Sequence, residues 1–191
     1  MLRQNFQPLR KSQSTNLSDR YLYPLLVEIR EFQLDDLPII HEFFDQMGTE
    51  TVGFFNGNDL NRNFAVKFVD ERNRSIIRWM ALEDGVMLGY IFLWDIDTTL
   101  PWLGVAVRDD RKGQGIGKQL VEHANNWAMK NGKGGILLIT APENAKAQGL
   151  YESTGYELYG VHPSGELLYI KRFVAFVDPE TEGRFPILPG F

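Results

Sequence analysis

The run Leu103-Gly104-Val105-Ala106-Val107, continued by Arg108-Asp109-Asp110-Arg111-Lys112 and then Gly113-Gln114-Gly115-Ile116-Gly117-Lys118-Gln119-Leu120, decides how the chain folds. It reads as an apolar strand, a charged turn, and a helix entered through glycines at every second position. The first turn of a helix carries backbone N–H groups with no partner inside the helix, and the macrodipole adds positive partial charge there. A phosphate suits that end. Gly113, Gly115 and Gly117 lack a Cβ and let the backbone close on such an anion, although glycine costs about 0.5–1 kcal/mol relative to alanine in a helix. A flexible loop with a glycine-rich helix start is the plainer reading, and spacing alone leaves it open.

Two nucleotide motifs fail at this loop. A Walker loop needs Gly-x-x-x-x-Gly-Lys followed by Ser or Thr, whereas Lys112 stands five residues before Gly117 and Gln119 follows Lys118. A Rossmann fingerprint needs Gly-x-Gly-x-x-Gly, whereas the spacing here is Gly-x-Gly-x-Gly. Neither ATP nor a dinucleotide is favoured.

Downstream, Ile116, Leu120, Val121, Ala124, Trp127 and Ala128 form one stripe of a helix that ends at Asn131-Gly132, with His123 off the stripe and expected in solvent. Gly135-Ile136-Leu137-Leu138-Ile139-Thr140 is an unbroken run suited to a strand covered on both faces. Strand, helix and strand make a crossover, so the two strands are expected to be parallel. Residues 156–161 and 167–173 then read as a closing hairpin around His162-Pro163-Ser164-Gly165, a turn in which His162 is either exposed or facing a substrate.

Upstream, residues 1–20 are polar and aperiodic and read as a flexible arm. Leu25-Leu26-Val27-Glu28-Ile29-Arg30-Glu31-Phe32 partly alternates as a strand. Asp35 or Asp36 can cap a following helix with Leu37, Ile40, Phe43 and Phe44 on one face, stopping near Gly48. His41-Glu42 lacks the second histidine of a zinc helix, since Asp45 stands there, and no metal site is expected. Residues 75–82 and 86–94 form a hairpin about Asp84-Gly85, and Asp95 and Asp97 follow it.

The chain has 191 residues, 43% of them hydrophobic, and a formal charge of −5. That size suits one domain, and the charge disfavours nucleic acid and anionic membrane as partners. Cysteine is absent, which removes disulfides, thiolate metal sites and a cysteine nucleophile. The first residues lead into no secretory apolar run and no stretch reaches membrane-spanning length, so a cytoplasmic location is expected.

Lys112-Gly113-Gln114-Gly115-Ile116-Gly117 resembles the acyl-CoA loop of the GCN5-related N-acetyltransferase (GNAT) superfamily, Gln/Arg-x-x-Gly-x-Gly/Ala, with lysine at its first position. Asn144, Ala147, Tyr151, Gly155 and Tyr156 match in register a second pattern of that superfamily, Asn-x-x-Ala-x-x-x-Tyr-x-x-x-Gly-Phe/Tyr. Each has a plain local explanation: Asn144 as a helix cap, Ala147 as a close contact, Tyr151 as a core aromatic. Two patterns in the proper order are more specific than either alone.

The resemblance implies an α/β fold with a mixed sheet of six to seven strands and about four helices. It implies an N-acetyltransferase domain over residues 21–173, with residues 174–191 as an extension packed on it. It also implies acetyl-CoA as co-substrate. The cofactor residues would be Val105, Ala106 and Val107 for the pantetheine, Lys112, Gly113, Gln114, Gly115, Ile116, Gly117 and Lys118 for the pyrophosphate, and Asn144 and Ala147. The acetyl group would pass directly to a primary amine of a small molecule or peptide, with Tyr151 protonating the departing sulfur. Phe54 and Phe55 would wall the acceptor pocket. An alkylammonium titrates near 10, so its proton needs a taker, for which Asp95, Asp97, His162 or a water chain are candidates. A homodimer is possible. The competing expectations are a non-catalytic acyl-CoA-binding module and a nucleic-acid-binding module built on Arg108, Arg111, Lys112 and Lys118, the latter opposed by Asp109 and Asp110.

Overall fold

The computed structural model describes residues 27–49, 51, 75–175 and 177–183. The expected N-terminal arm, Phe54 and Phe55 lie outside them. The described strands are β1 (Glu28–Glu31), β2 (Ile76–Glu83), β3 (Val86–Trp94), β4 (Trp102–Val107), β5 (Gly135–Thr140), β6 (Glu157–Val161) and β7 (Leu167–Arg172). The described helices are α1 (Leu37–Asp45), α2 (Ile116–Lys130), α3 (Ala145–Ser153) and α4 (Pro179–Glu182). The strands make one mixed sheet in the order β1-β2-β3-β4-β5-β7-β6.

The β2–β3 turn places Asp84 at φ 50° and Gly85 at φ 80°, the pair of left-handed residues that a tight hairpin turn with matching twist requires. β1 to β4 then form an antiparallel meander, and β4 runs parallel to β5 through α2, as the crossover requires. That parallel pairing is confined to Trp102 opposite Leu137. Beyond it the two strands part, while β5 stays paired with β7 along its whole length, from Gly135 opposite Arg172 to Thr140 opposite Leu167. The sheet is therefore split at its centre, with the gap opening toward the C-terminal ends of β4 and β5.

The alternation of β4 sends Leu103, Val105 and Val107 to the face covered by α2, where Ile116, Leu120, Val121 and Ala124 meet them. Each such aliphatic side chain, fully buried, contributes about 2 kcal/mol of transfer free energy. On the opposite face α1 lays Ile40, Phe43 and Phe44 on Met80, Met87, Tyr90 and Ala106. A row of stacked rings continues along that face, with Tyr90 to Phe92 at 5.8 Å, Phe92 to Trp94 at 5.4 Å and Trp94 to Trp102 at 6.0 Å. Phe92 takes the place of a side chain at Gly104, where a Cβ would lie 2.4 Å from its ring. Val177, ahead of α4, packs with Leu100, Trp102 and Leu137.

The first strand is shorter than its alternation suggests, and α1 ends at Asp45, ahead of Gly48. Asp36 precedes α1 without making a side-chain cap. Its carboxylate instead takes both guanidinium nitrogens of Arg30 at 2.7 Å and the Gln33 N–H at 2.7 Å. The paired guanidinium holds Asp36 below the usual carboxylate range. A depressed folded-state pKa contributes stability that is present above the unfolded value and is lost as pH falls through the folded one. Asp36→Asn is therefore expected to destabilise the fold by about 2 kcal/mol at neutral pH. Denaturant melts should show that difference shrinking as the solution is acidified, and a difference independent of pH would contradict the pairing.

Candidate active site

The split in the sheet opens into a cavity of about 720 Å³. Its walls are β4, the glycine loop with the first turn of α2, the end of β5 and α3. Of the cofactor residues expected from sequence, Val105, Ala106, Val107, Lys112, Gly113, Gly115, Ile116, Gly117, Lys118, Asn144 and Ala147 all line it, and so does Tyr151. Gln114 does not: it is a loop residue whose side-chain amide sits 3.5 Å from Asp110 O.

Three features suit the cavity to a long thioester that ends in phosphates. The β5-facing edge of β4 beyond Trp102 has no strand partner, which leaves backbone groups for an extended ligand to pair with as an added strand. Gly113 at φ 78° and Gly115 at φ 82° are left-handed and turn the loop toward the α2 N terminus, with Gly115 in the N-cap position. The Tyr151 hydroxyl has no hydrogen-bond partner in the described protein although its ring is packed between Tyr156 and Tyr169 at 6.0 and 6.1 Å. Burial pushes that phenol well above its ordinary 10.0. It stays protonated at neutral pH, as a proton donor must.

Lys112 reaches across the loop. Its ammonium donates to Thr51 Oγ1 at 2.7 Å and pairs with Asp109, and Thr51 Oγ1 also donates to Asp109. Burial of Asp109 works against its ionisation, yet the hydrogen bonds from Lys112 and Thr51 hold its carboxyl below the usual range. The loop's other cations have acidic partners too: Arg108 holds Asp110 through two bonds of 3.0 Å, and Arg111 lies 3.2 Å from Glu83.

Asn144 caps α3, its Oδ1 accepting the Ala147 N–H at 3.2 Å, while also bordering the cavity. The cap and the wall are one arrangement.

Asp95 and Asp97 lie elsewhere. They precede β4, at the end away from the glycine loop, on a segment held by Lys133 Nζ through Ile96 O and Thr98 O, and neither lines the cavity. His162 is buried, at 7% exposure, because its ring packs edge-on against Trp102 at 6.1 Å. The exposure expected of a turn histidine is thereby corrected. His123 is likewise half-buried, edge-on to Trp79 at 5.2 Å. Thr51, Lys146 and Glu166 line the cavity without any local sequence signal that marks them. Thr51 belongs to a turn-rich stretch, and Glu166 simply precedes a strand.

A strand edge left unpaired inside a cavity, leading to a glycine loop at a helix N terminus, is the architecture of a coenzyme-A-dependent acyltransferase. Residues 27–156 match the family described as Acetyltransferase (GNAT) family, and the chain belongs to it. The L-methionine sulfoximine/L-methionine sulfone acetyltransferase of Pseudomonas paraeruginosa is 27% identical over 142 residues, which cover 71% of this chain and 83% of that protein. The GNAT domain of S. lividans PAT superposes with a TM-score of 0.70 at 16% identity, covering 76% of this chain and 90% of that one. The PaiA N-acetyltransferase of Thermoplasma acidophilum, solved with coenzyme A, gives a TM-score of 0.64 at 18% identity, covering 78% and 100%. The fold is thus the GNAT fold expected from the two motifs, and the protein is an acetyl-CoA-dependent N-acetyltransferase with an unspecified amine acceptor. No described helix is long and apolar enough to cross a membrane.

Proposed function

We propose that the protein acetylates a primary amine of a small molecule, with the pyrophosphate of acetyl-CoA on the backbone N–H groups of residues 113–117. The pantetheine pairs with the free edge of β4 at Val105, Ala106 and Val107. Lys112 and Lys118 offset the phosphate charge, Lys112 by exchanging part of its pairing with Asp109 for the ligand. The amine attacks the thioester carbonyl directly, and the Tyr151 hydroxyl protonates the sulfur as the C–S bond breaks. The observation that carries this reading is the co-location of the unpaired β4 edge, the left-handed glycine loop and the unpartnered Tyr151 hydroxyl around one cavity.

The relative that acts on methionine sulfoximine makes the amine of an amino-acid-sized molecule the first acceptor to try. Acetyl-CoA is a cytoplasmic metabolite, which supports that compartment. Titration calorimetry with coenzyme A is expected to give saturable heat, and thiol release with acetyl-CoA should then depend on added L-methionine sulfone, spermidine or kanamycin. No heat in large excess of coenzyme A would overturn the reading. Binding without thiol release for any amine would favour a non-catalytic acyl-CoA-binding module.

A further inference from the structure

Among the described residues that line the cavity, Glu166 alone carries a carboxylate; the other charged groups there, Arg111, Lys112, Lys118 and Lys146, are cations. The pairing of Thr140 with Leu167 sets Glu166 just beyond the C-terminal end of β5, at the open side of the split sheet. The turn that delivers it is held by two backbone bonds of 2.8 Å, from His162 N–H to Glu166 O and from Gly165 N–H to His162 O. Its side chains form a chain leading away from the cavity. Ser164 Oγ donates to Glu166 Oε2 at 3.0 Å and lies 2.8 Å from His162 Nδ1, and the Ser164 backbone N–H donates to the same nitrogen at 3.2 Å. His162 itself is buried against Trp102.

One hydroxyl proton has two claimants. With His162 neutral and Nδ1 an acceptor, Ser164 donates to the ring and Glu166 is left able to accept a proton. With Nδ1 protonated, the ring gives up the Ser164 backbone N–H it accepts, donates to Ser164 Oγ, and Ser164 donates to Glu166.

We propose that Glu166 receives the proton of the acceptor amine and that Ser164 passes a proton on to His162. This rests on the acetyl-transfer reading of the same cavity. An amine arriving as an ammonium gives one proton to Glu166 and becomes the nucleophile. Glu166 returns that proton to Ser164 Oγ as the Ser164 proton moves to Nδ1, and His162 later releases it to solvent. As the C–N bond forms and the C–S bond breaks, the second nitrogen proton passes to water, and Tyr151 supplies one to sulfur and regains one from solvent. The net products are the amide, coenzyme A as free thiol, and one proton. Glu166 is a catalytic residue in this scheme, and Ser164 and His162 are positioning residues.

Ethylamine and trifluoroethylamine separate the roles, because they match in shape while only the first is an ammonium at neutral pH. Thiol release is measured for both, with coenzyme A binding checked for each variant. Glu166→Gln keeps an oxygen for Ser164 and loses the basicity. It is expected to slow ethylamine at least about tenfold while trifluoroethylamine stays within about twofold of the unaltered protein. Ser164→Ala should lower kcat for ethylamine about fivefold with an unchanged amine KM, and Ser164→Thr should restore it. Equal rates for Glu166→Gln and the unaltered protein, or equal slowing of both amines, would overturn the assignment and leave the acetyl-transfer reading standing. An unaltered protein that binds coenzyme A and releases thiol with neither of these amines nor with L-methionine sulfone, spermidine or kanamycin would overturn both.

Discussion

Tyr151→Phe is expected to lower kcat about a hundredfold while coenzyme A affinity stays within about twofold. The substitution removes one oxygen and keeps the ring, which packs between Tyr156 and Tyr169 in the main core. That oxygen has no hydrogen-bond partner within the described protein, so its removal orphans no buried group and leaves the fold intact. Its buried phenol, with a pKa raised above the ordinary range, is held in the donor form. In the proposed reaction, what is lost is the proton for the departing thiolate. Single-turnover thiol release and calorimetry with coenzyme A check the two halves of the statement, and unchanged turnover would remove Tyr151 from the chemistry.

Gly115→Val should weaken coenzyme A binding about a hundredfold. Gly115 sits at φ 82° in the N-cap position of α2, a conformation that a β-branched residue reaches only at a cost of about 1–3 kcal/mol. The chain relieves that strain by rotating the peptide units on either side, and those units carry the N–H groups that a pyrophosphate would use. Apolar packing of Ile116, Leu120 and Val121 remains in place, so α2 persists and the loss falls on the ligand. Calorimetry with coenzyme A and a thermal melt together distinguish this outcome from unfolding. Binding at full strength with an unaltered melt would place the anion site elsewhere.

Much of the fold was legible because its signals are local. The β2–β3 hairpin follows from Asp84-Gly85, α2 from one apolar stripe, and the parallel crossover from a strand, a helix and a strand in succession. The glycine loop is legible for the same reason: Gly113 and Gly115 announce a backbone conformation that other residues avoid. Asn144 and Tyr151 declare themselves by spacing within one helix and its cap.

His162 reads as a turn histidine and proves to be buried, since its burial depends on Trp102, sixty positions earlier, standing on the same face of the sheet. Asp95 and Asp97 read as neighbours of the central strand, yet they occupy the end of β4 away from the cavity. Lys112 reads as a cation for a phosphate, and its contact with Thr51, from a segment far earlier in the chain, has no local signal.

The amino-acid order by itself determined the glycine loop ahead of α2, the order of elements and the helix that carries Tyr151, because each depends on φ angles and side-chain spacings within a few residues. Only the tertiary structure decided which carboxylate meets the cavity. That choice rests on the register of β7 against β5, which sets Leu167 opposite Thr140 and so brings Glu166 to the gap. A slip of one residue would send its side chains to the other face. Nothing in the run that contains Glu166 records that register; it is set by apolar side chains of both strands finding the core together.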